Sequence, residues 1–306
     1  MDKLVKSPHW GRCLIYEPSA RRREVQPLLG TDANKHRWQS TNHEWRFESS
    51  PSTLSEIQMT NEVYNIDCLD FMREQPDKSF SIAIADPPYG ICADKPAVKP
   101  CKVRQRNGSY LPVKAPDYGK KDWDAQPPEQ VFFDELTRVC ENVIIWGANY
   151  FGLAGGMIVW DKMNGDSDQY GCEIAYQSFN QRTDIVHYMW QGMFQGECCS
   201  TDVNIANRQQ GNKQLNEKRI HPTQKPVALY AWLLKNYAKP GDRIFYPMMG
   251  SQSSRSAAYK MGFDYVGCEL DKEYFDKGCE RFAKECKGEI KLKDGSIVKQ
   301  ASLFDI

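Results

Sequence analysis

From residue 59 onward this sequence predicts an α/β domain: a mostly parallel sheet with helices on both of its faces. Three observations carry that expectation. Phe80 to Ala85 reads as a strand with alternating apolar residues, and Asn142 to Trp146 as a buried one. Segments of strand length alternate with segments of helical length through most of the chain. A Gly/Ser loop, Gly250 to Ser254, stands between a strand and a helix, the usual junction where a parallel sheet approaches a ligand.

The elements follow in order. Glu62 to Ile66 is expected as a short strand, Leu69 to Arg73 as a short helix and Phe80 to Ala85 as the next strand. Residues 95–121 hold four prolines and eight basic residues against Asp117 alone, and read as a loop with a local charge of +7. A helix from Glu129 to Cys140 precedes strands at Asn142 to Trp146 and Met157 to Trp160. Little regular period runs from Asp161 to about Arg219. The remainder is strongly patterned: a helix from Pro226 to Tyr237, the turn Lys239-Pro240-Gly241-Asp242, a strand at Arg243 to Tyr246, a helix to Met261, a strand at Tyr265 to Cys268 and a helix through Tyr274 to Glu285. Residues 1–58, polar from Thr31 to Ser55 and without sustained period, read as a disordered or loosely attached N-terminal extension, residues 59–286 as the folded domain and residues 287–306 as a tail. No internal repeat is visible.

Composition narrows the function classes. Forty Lys+Arg balance forty Asp+Glu, so no field of the whole protein draws it to nucleic acid or membrane, and attraction must come from local patches. The apolar runs are too short to span a bilayer, and the N-terminus lacks the apolar core of a signal peptide. Eleven cysteines, odd in number and without a Cys-x-x-Cys, fit reduced thiols in a cytoplasm better than disulfides or a zinc site, so no metal is expected.

Two separated motifs carry chemistry. Asp86-Pro87-Pro88-Tyr89-Gly90 follows directly on the strand Phe80 to Ala85, where open parallel sheets bind ligands. Asp86 supplies a carboxylate acceptor, the prolines a stiff backbone of exposed carbonyls, and Tyr89 a flat ring. Together they suit a planar group with an exocyclic amine. The second motif runs from Pro240 through Phe245, Tyr246, Pro247, Met248, Gly250 and Ser251, and places a glycine loop between strand and helix. Glu269, nineteen residues beyond Gly250, ends the next strand, where an acid accepts hydrogen bonds from a ribose diol.

With His221-Pro222-Thr223-Gln224-Lys225-Pro226 just upstream of the glycine loop, the order of these motifs resembles the β-class DNA amino-methyltransferases over roughly residues 60–286. The resemblance implies the methyltransferase sheet, Rossmann-like and circularly permuted, with one antiparallel strand. It implies S-adenosylmethionine across the loop Phe245 to Ser251, with Glu269 on the ribose, Asp67 near the adenine, and Thr223 and Lys225 over the methionine end. It implies a flipped-out base on Tyr89 with its amine held by Asp86 and the Pro87 carbonyl. Asp rather than Ser at the first position favours adenine N6 over cytosine N4. Residues 161–220 fall where the class carries target recognition. Lys102, Arg104, Arg106, Lys120 and Lys121 of the basic loop, with Arg208, Lys213 and Arg219, are the expected contacts to double-stranded DNA.

Two positions depart from the family pattern Asp-Pro-Phe-x-Gly-x-Gly. Tyr246 stands in place of the aspartate, and Gln252 in place of the second glycine. Losing a carboxylate that faces the methionine ammonium would cost about 1.5–3 kcal/mol of cofactor affinity, which leaves a catalytically lapsed DNA-binding relative as an alternative. Gln252 is expected to be benign because Ser251 and Ser253 keep the loop small. In the tail, Gln300, Leu303 and Phe304 resemble the peptide that docks bacterial proteins on the replication sliding clamp. The expected protein is cytoplasmic and nucleoid-associated, a monomer or homodimer, with a cognate restriction endonuclease as a further partner.

Overall fold

The computed structural model describes residues 38–41, 44–47, 59–93, 101–104, 108–113, 121–164, 170–191, 194–196, 216–291 and 296–299. The chain divides into two units, Met1–Ile57 and Gln58–Ile306. In the first, strands β1 (Trp38–Thr41) and β2 (Glu44–Phe47) pair antiparallel.

The second unit is built on an eight-stranded sheet. Its strands are β3 (Asn61–Tyr64), β4 (Phe80–Ala85), β7 (Cys140–Trp146), β8 (Gly156–Asp161), β9 (Cys172–Gln177), β10 (Thr183–His187), β13 (Arg243–Tyr246) and β14 (Asp264–Cys268), in the order β10-β8-β9-β7-β4-β13-β14-β3. Only β9 runs against its neighbours β7 and β8; every other pairing is parallel. This is the mostly parallel α/β sheet with one reversed strand that the sequence resemblance implies. Three antiparallel pairs lie outside it: β5 (Cys101–Arg104) with β6 (Tyr110–Val113), β11 (Met189–Gln191) with β12 (Phe194–Gly196), and β15 (Glu289–Lys291) with β16 (Ile297–Lys299).

The central strands are buried on both faces, so successive residues feed two separate cores. Ile82, Ile84, Ile144, Trp146, Ile244 and Tyr246 face α3 (Val227–Tyr237) and α4 (Ser253–Met261), against Leu229, Leu233, Ala257 and Ala258. Phe80, Ala83, Ala85, Val143, Ile145 and Phe245 face α1 (Cys68–Arg73) and α2 (Gln130–Val139), against Phe71, Met72, Phe132 and Leu136. The helix ends are set by local chemistry. Asp67 caps α1 by accepting from Leu69 N, and Asp271 caps α5 (Lys272–Lys287) by accepting from Glu273 N and Tyr274 N. Gly262 and Gly288 close α4 and α5 in the left-handed conformation.

Residues 161–219, where the sequence shows little period, supply β9 and β10 to the main sheet, so part of the stretch expected to recognise DNA is core scaffold. The pattern hides β9 because one of its buried positions is polar. Gln177 is fully buried, and its amide donates to the carbonyls of Asn180 (3.0 Å) and Arg182 (3.2 Å) while its oxygen accepts from Phe179 N. Among the described residues no helix is long and apolar enough to cross a membrane, and Cys68, Cys92, Cys140, Cys172, Cys268, Cys279 and Cys286 are free thiols.

Candidate active site

The strand order creates the crevice. The chain leaves β4 toward β7 on one side, and leaves β13 toward β14 on the other, although β4 and β13 are adjacent. Connections that part in this way open a cleft at the carboxyl ends of the two strands. Asp86-Pro87-Pro88-Tyr89 and the loop from Pro247 to Ser251 begin at those ends.

Asp86 sits at the centre of a charged cluster. Its Oδ1 accepts from the Tyr89 hydroxyl at 2.8 Å and from Lys225 Nζ at 2.5 Å. Lys225 is almost entirely buried and also pairs with Glu173 Oε2 at 3.0 Å, while Glu173 Oε1 meets Lys162 Nζ at 2.5 Å. Burial raises the Asp86 carboxyl above its usual range, with the Lys225 ammonium opposing. Burial alone would lower the Lys225 ammonium, but Asp86 and Glu173 outweigh it and hold it above its ordinary value. Burial likewise pushes Glu173 up, yet Lys225 and Lys162 together hold it at about 2. Two carboxylates and two ammoniums therefore alternate, with no net charge among them.

The turn carrying Tyr89 is fixed by a residue that the sequence motifs do not mark. Asp124 is buried, and its carboxylate accepts from three backbone N–H groups: Tyr89 (2.6 Å), Gly90 (2.9 Å) and Ala93 (2.7 Å). Gly147, just beyond β7, gives the Tyr89 ring its room, for a Cβ there would stand 2.4 Å from Cε1. Tyr150, exposed, stacks on Tyr89 with centroids 4.8 Å apart and ring planes at 15°. Asp124 follows the basic loop without period or motif, so only the fold reveals it.

Across the crevice, Glu269 directly follows β14, with Oε2 on Gly250 N (2.6 Å) and Oε1 on Asp271 N (2.9 Å). Burial raises its carboxyl above the usual range. Behind the loop, Arg281 on α5 donates to Ser251 O and Ser253 Oγ and pairs with Glu217. His221 lies between the Trp123 and Tyr274 rings, and its Nδ1 is 3.2 Å from Thr223 Oγ1. Asp67 is at the same edge of the sheet, its carboxylate used in capping α1.

The other expected site residues have these surroundings. Phe245 is fully buried against Phe80, with centroids 4.7 Å apart, because the strand turns it into the α1–α2 core. Tyr246 turns into the opposite core, where its hydroxyl meets that of Tyr230 at 2.6 Å. Lys121, expected on DNA phosphates, bridges Asp271 (2.7 Å) and Glu273 (3.0 Å) at the start of α5. Arg219 lies over the Trp190 ring and donates to the Trp190 carbonyl. Lys225 pairs with Asp86 of the Asp-Pro-Pro-Tyr motif. Lys102 and Arg104 fall on β5; Arg106, Lys120, Arg208, Lys213, Gln300, Leu303 and Phe304 lie outside the described residues.

A family model described as DNA methylase matches residues 145–280. A DNA adenine methyltransferase of Escherichia coli strain K12, YhdJ, is 30% identical over 99 residues; the match covers 30% of this chain and 34% of that protein, about a third of its length. The type II methyltransferase M1.MboII of Moraxella bovis is 23% identical over 258 residues, 71% of this chain and 94% of that protein. Among solved structures, the cytosine-N4-specific PvuII DNA methyltransferase superposes with a TM-score of 0.43 at 13% identity, covering 74% of this chain and 89% of that one. At that level of similarity the fold assignment rests on the strand order itself.

Proposed function

We propose that this chain is a DNA methylase acting on exocyclic amino groups, and that it methylates the N6 of a flipped-out adenine in double-stranded DNA, in the cytoplasm. The observation that carries the reading is the Asp86–Tyr89 pair, a carboxylate and a ring joined at 2.8 Å at the end of a central strand. An aromatic amine is a poor nucleophile because its lone pair is shared with the ring. Hydrogen bonds from its N–H groups to the Asp86 carboxylate and the Pro87 carbonyl draw that lone pair back onto nitrogen, and Tyr89 holds the base plane in line. The Lys225 ammonium opposes the burial that raises the Asp86 carboxyl and so favours its ionised form. No covalent enzyme intermediate is required, so the thiols have no chemical part.

The residues of the opposite wall suit S-adenosylmethionine, which supplies an electrophilic methyl group when bound. Glu269 presents a carboxylate of the kind a ribose diol donates to, beside the backbone of Gly250 and Ser251, and Asp67 lies at the neighbouring strand end. Tyr246 offers no carboxylate to the methionine ammonium, so Asp86 is the anion left beside the loop in this reading.

Adenine is favoured by Asp at position 86. The alternative, cytosine N4, is separated by the product. Labelled methyl transfer from S-adenosylmethionine to unmethylated DNA of mixed sequence, followed by nucleoside analysis, is expected to yield N6-methyladenine. N4-methylcytosine would overturn the base assignment, and label in neither would overturn the activity.

A further inference from the structure

The reversed strand places a residue at the catalytic edge that no motif accounts for. Parallel strands bring their last residues to this edge, but β9, running the other way, brings one of its first, Glu173, level with Trp160 of β8 in the pairing register. From there Glu173 reaches Lys225 on one side and Lys162 on the other, and Lys225 completes the chain to Asp86. We infer that Glu173 is a positioning residue for methyl transfer: through Lys225 it sets both the place and the protonation of Asp86. The inference rests on the methyltransferase reading of the site.

The geometry gives the reason. Lys225 alone would form a closed pair with Asp86 and compete with the substrate amine for the carboxylate. Glu173 divides the ammonium between two carboxylates, which leaves Asp86 accepting capacity for an incoming N–H. Charge balance points the same way. Positive charge arrives on the substrate nitrogen as the methyl group reaches it, and unbalanced ammoniums beside Asp86 would oppose that charge. The groups facing Asp86 are Lys225, Glu173, the Tyr89 hydroxyl and, from the core side, the Tyr230 and Tyr246 hydroxyls; Lys162 faces Glu173. With Glu173 in place this set is neutral, and without it one positive charge remains.

Two measurements on the full chain test this with Glu173→Gln and the conservative Glu173→Asp. In protein labelled with ¹³C at aspartate carboxyls, the Asp86 signal is identified by its loss in Asp86→Asn and followed through a pH titration without substrate. Glu173→Gln is expected to lower the Asp86 midpoint, since a neighbouring anion has been removed. In single-turnover transfer, the same variant is expected to move the acid limb of the rate profile to lower pH while the plateau falls at least about tenfold, and Glu173→Asp to recover part of both. A merely structural role would lower the plateau without moving the limb. An unmoved Asp86 midpoint overturns the coupling, and a moved midpoint with an unchanged plateau overturns the positioning role. Wild-type protein that transfers no methyl to DNA overturns the reading of the site, while the carbon spectra still decide whether Glu173 governs Asp86.

Discussion

Gln252 and Gly278 are a matched pair: a Cβ at position 278 would stand 2.6 Å from Gln252 Cγ. Gln252 takes a left-handed backbone (φ 58°) where glycine would be free of strain, and its buried amide donates to Phe275 O and accepts from Arg255. Its tolerance therefore comes from the space left in α5 and from those hydrogen bonds, and not from the small serines beside it. Gly278→Ala should improve intrinsic helix propensity by about 1 kcal/mol yet destabilise the fold by a net of about 1–3 kcal/mol through overpacking. Adding Gln252→Gly should recover most of that loss. Urea unfolding of the two single variants and the double variant measures the coupling, and strict additivity would refute it.

Tyr246 carries a different consequence. Restoring the family aspartate by Tyr246→Asp would put a carboxylate into a fully buried slot and leave a void beside the Tyr230 hydroxyl. The loss should reach about 3–5 kcal/mol from the cavity alone, with the cost of a buried charge added. Tyr246→Phe removes one hydroxyl and leaves the Tyr230 hydroxyl unpaired, costing about 1–3 kcal/mol. Thermal unfolding should rank the aspartate variant well below the phenylalanine variant. The reverse order would place residue 246 at the ligand after all.

What the sequence reveals and hides follows from how each residue earns its place. Strands such as β4 and β13 are legible because burial on both faces demands apolar residues, and the Asp86 motif is legible because its chemistry is local in the chain. β9 is hidden by Gln177, a buried polar side chain that satisfies itself in the following turn. Asp124 and Glu173 are hidden for another reason. Each acts on residues 31 to 52 positions away in the chain, at distances only the fold brings within 3.0 Å. The direction of Phe245 and Tyr246 was open for the same cause, since a strand buried on both faces gives no polar alternation to say which side meets the crevice.

Asp124 predicts a separation of stability from rate. Asp124→Ala strands the N–H groups of Tyr89, Gly90 and Ala93, and should cost about 2–4 kcal/mol. Asp124→Asn keeps the shape but has one acceptor oxygen for donors that now use two. It should fold, bind S-adenosylmethionine as wild type does, and transfer methyl at least about tenfold more slowly, because Tyr89 is no longer held in line. Calorimetry of cofactor binding beside single-turnover transfer makes the comparison. An equal loss in both would mean that the turn supports the whole crevice and not the tetrapeptide alone.

His221 sets a pH dependence with a defined sign. Burial, then the nearby Lys225 ammonium, lower its imidazole from the usual 6.5 to about 3, with Asp271 opposing. Folded His221 therefore stays neutral down to about pH 3, while in the unfolded chain it takes a proton below about 6.5. Between those values the unfolded state binds more protons, so stability falls as pH falls, by at most about 1.4 kcal/mol per unit from this group. Glu173, held at about 2 against an ordinary 4.5, acts in the same direction in a lower window. His221→Asn should thus be less stable than wild type near pH 7 through lost packing against Trp123 and Tyr274, and the gap should narrow steadily from pH 6.5 to pH 4.5. Below pH 4.5 both proteins should also lose stability as Glu173 protonates in the unfolded chain, while the gap between them goes on narrowing to about pH 3. Urea midpoints at half-unit intervals read the gap directly, and parallel curves across pH 6.5 to 4.5 would show that His221 is protonated in the folded chain as readily as in the unfolded one.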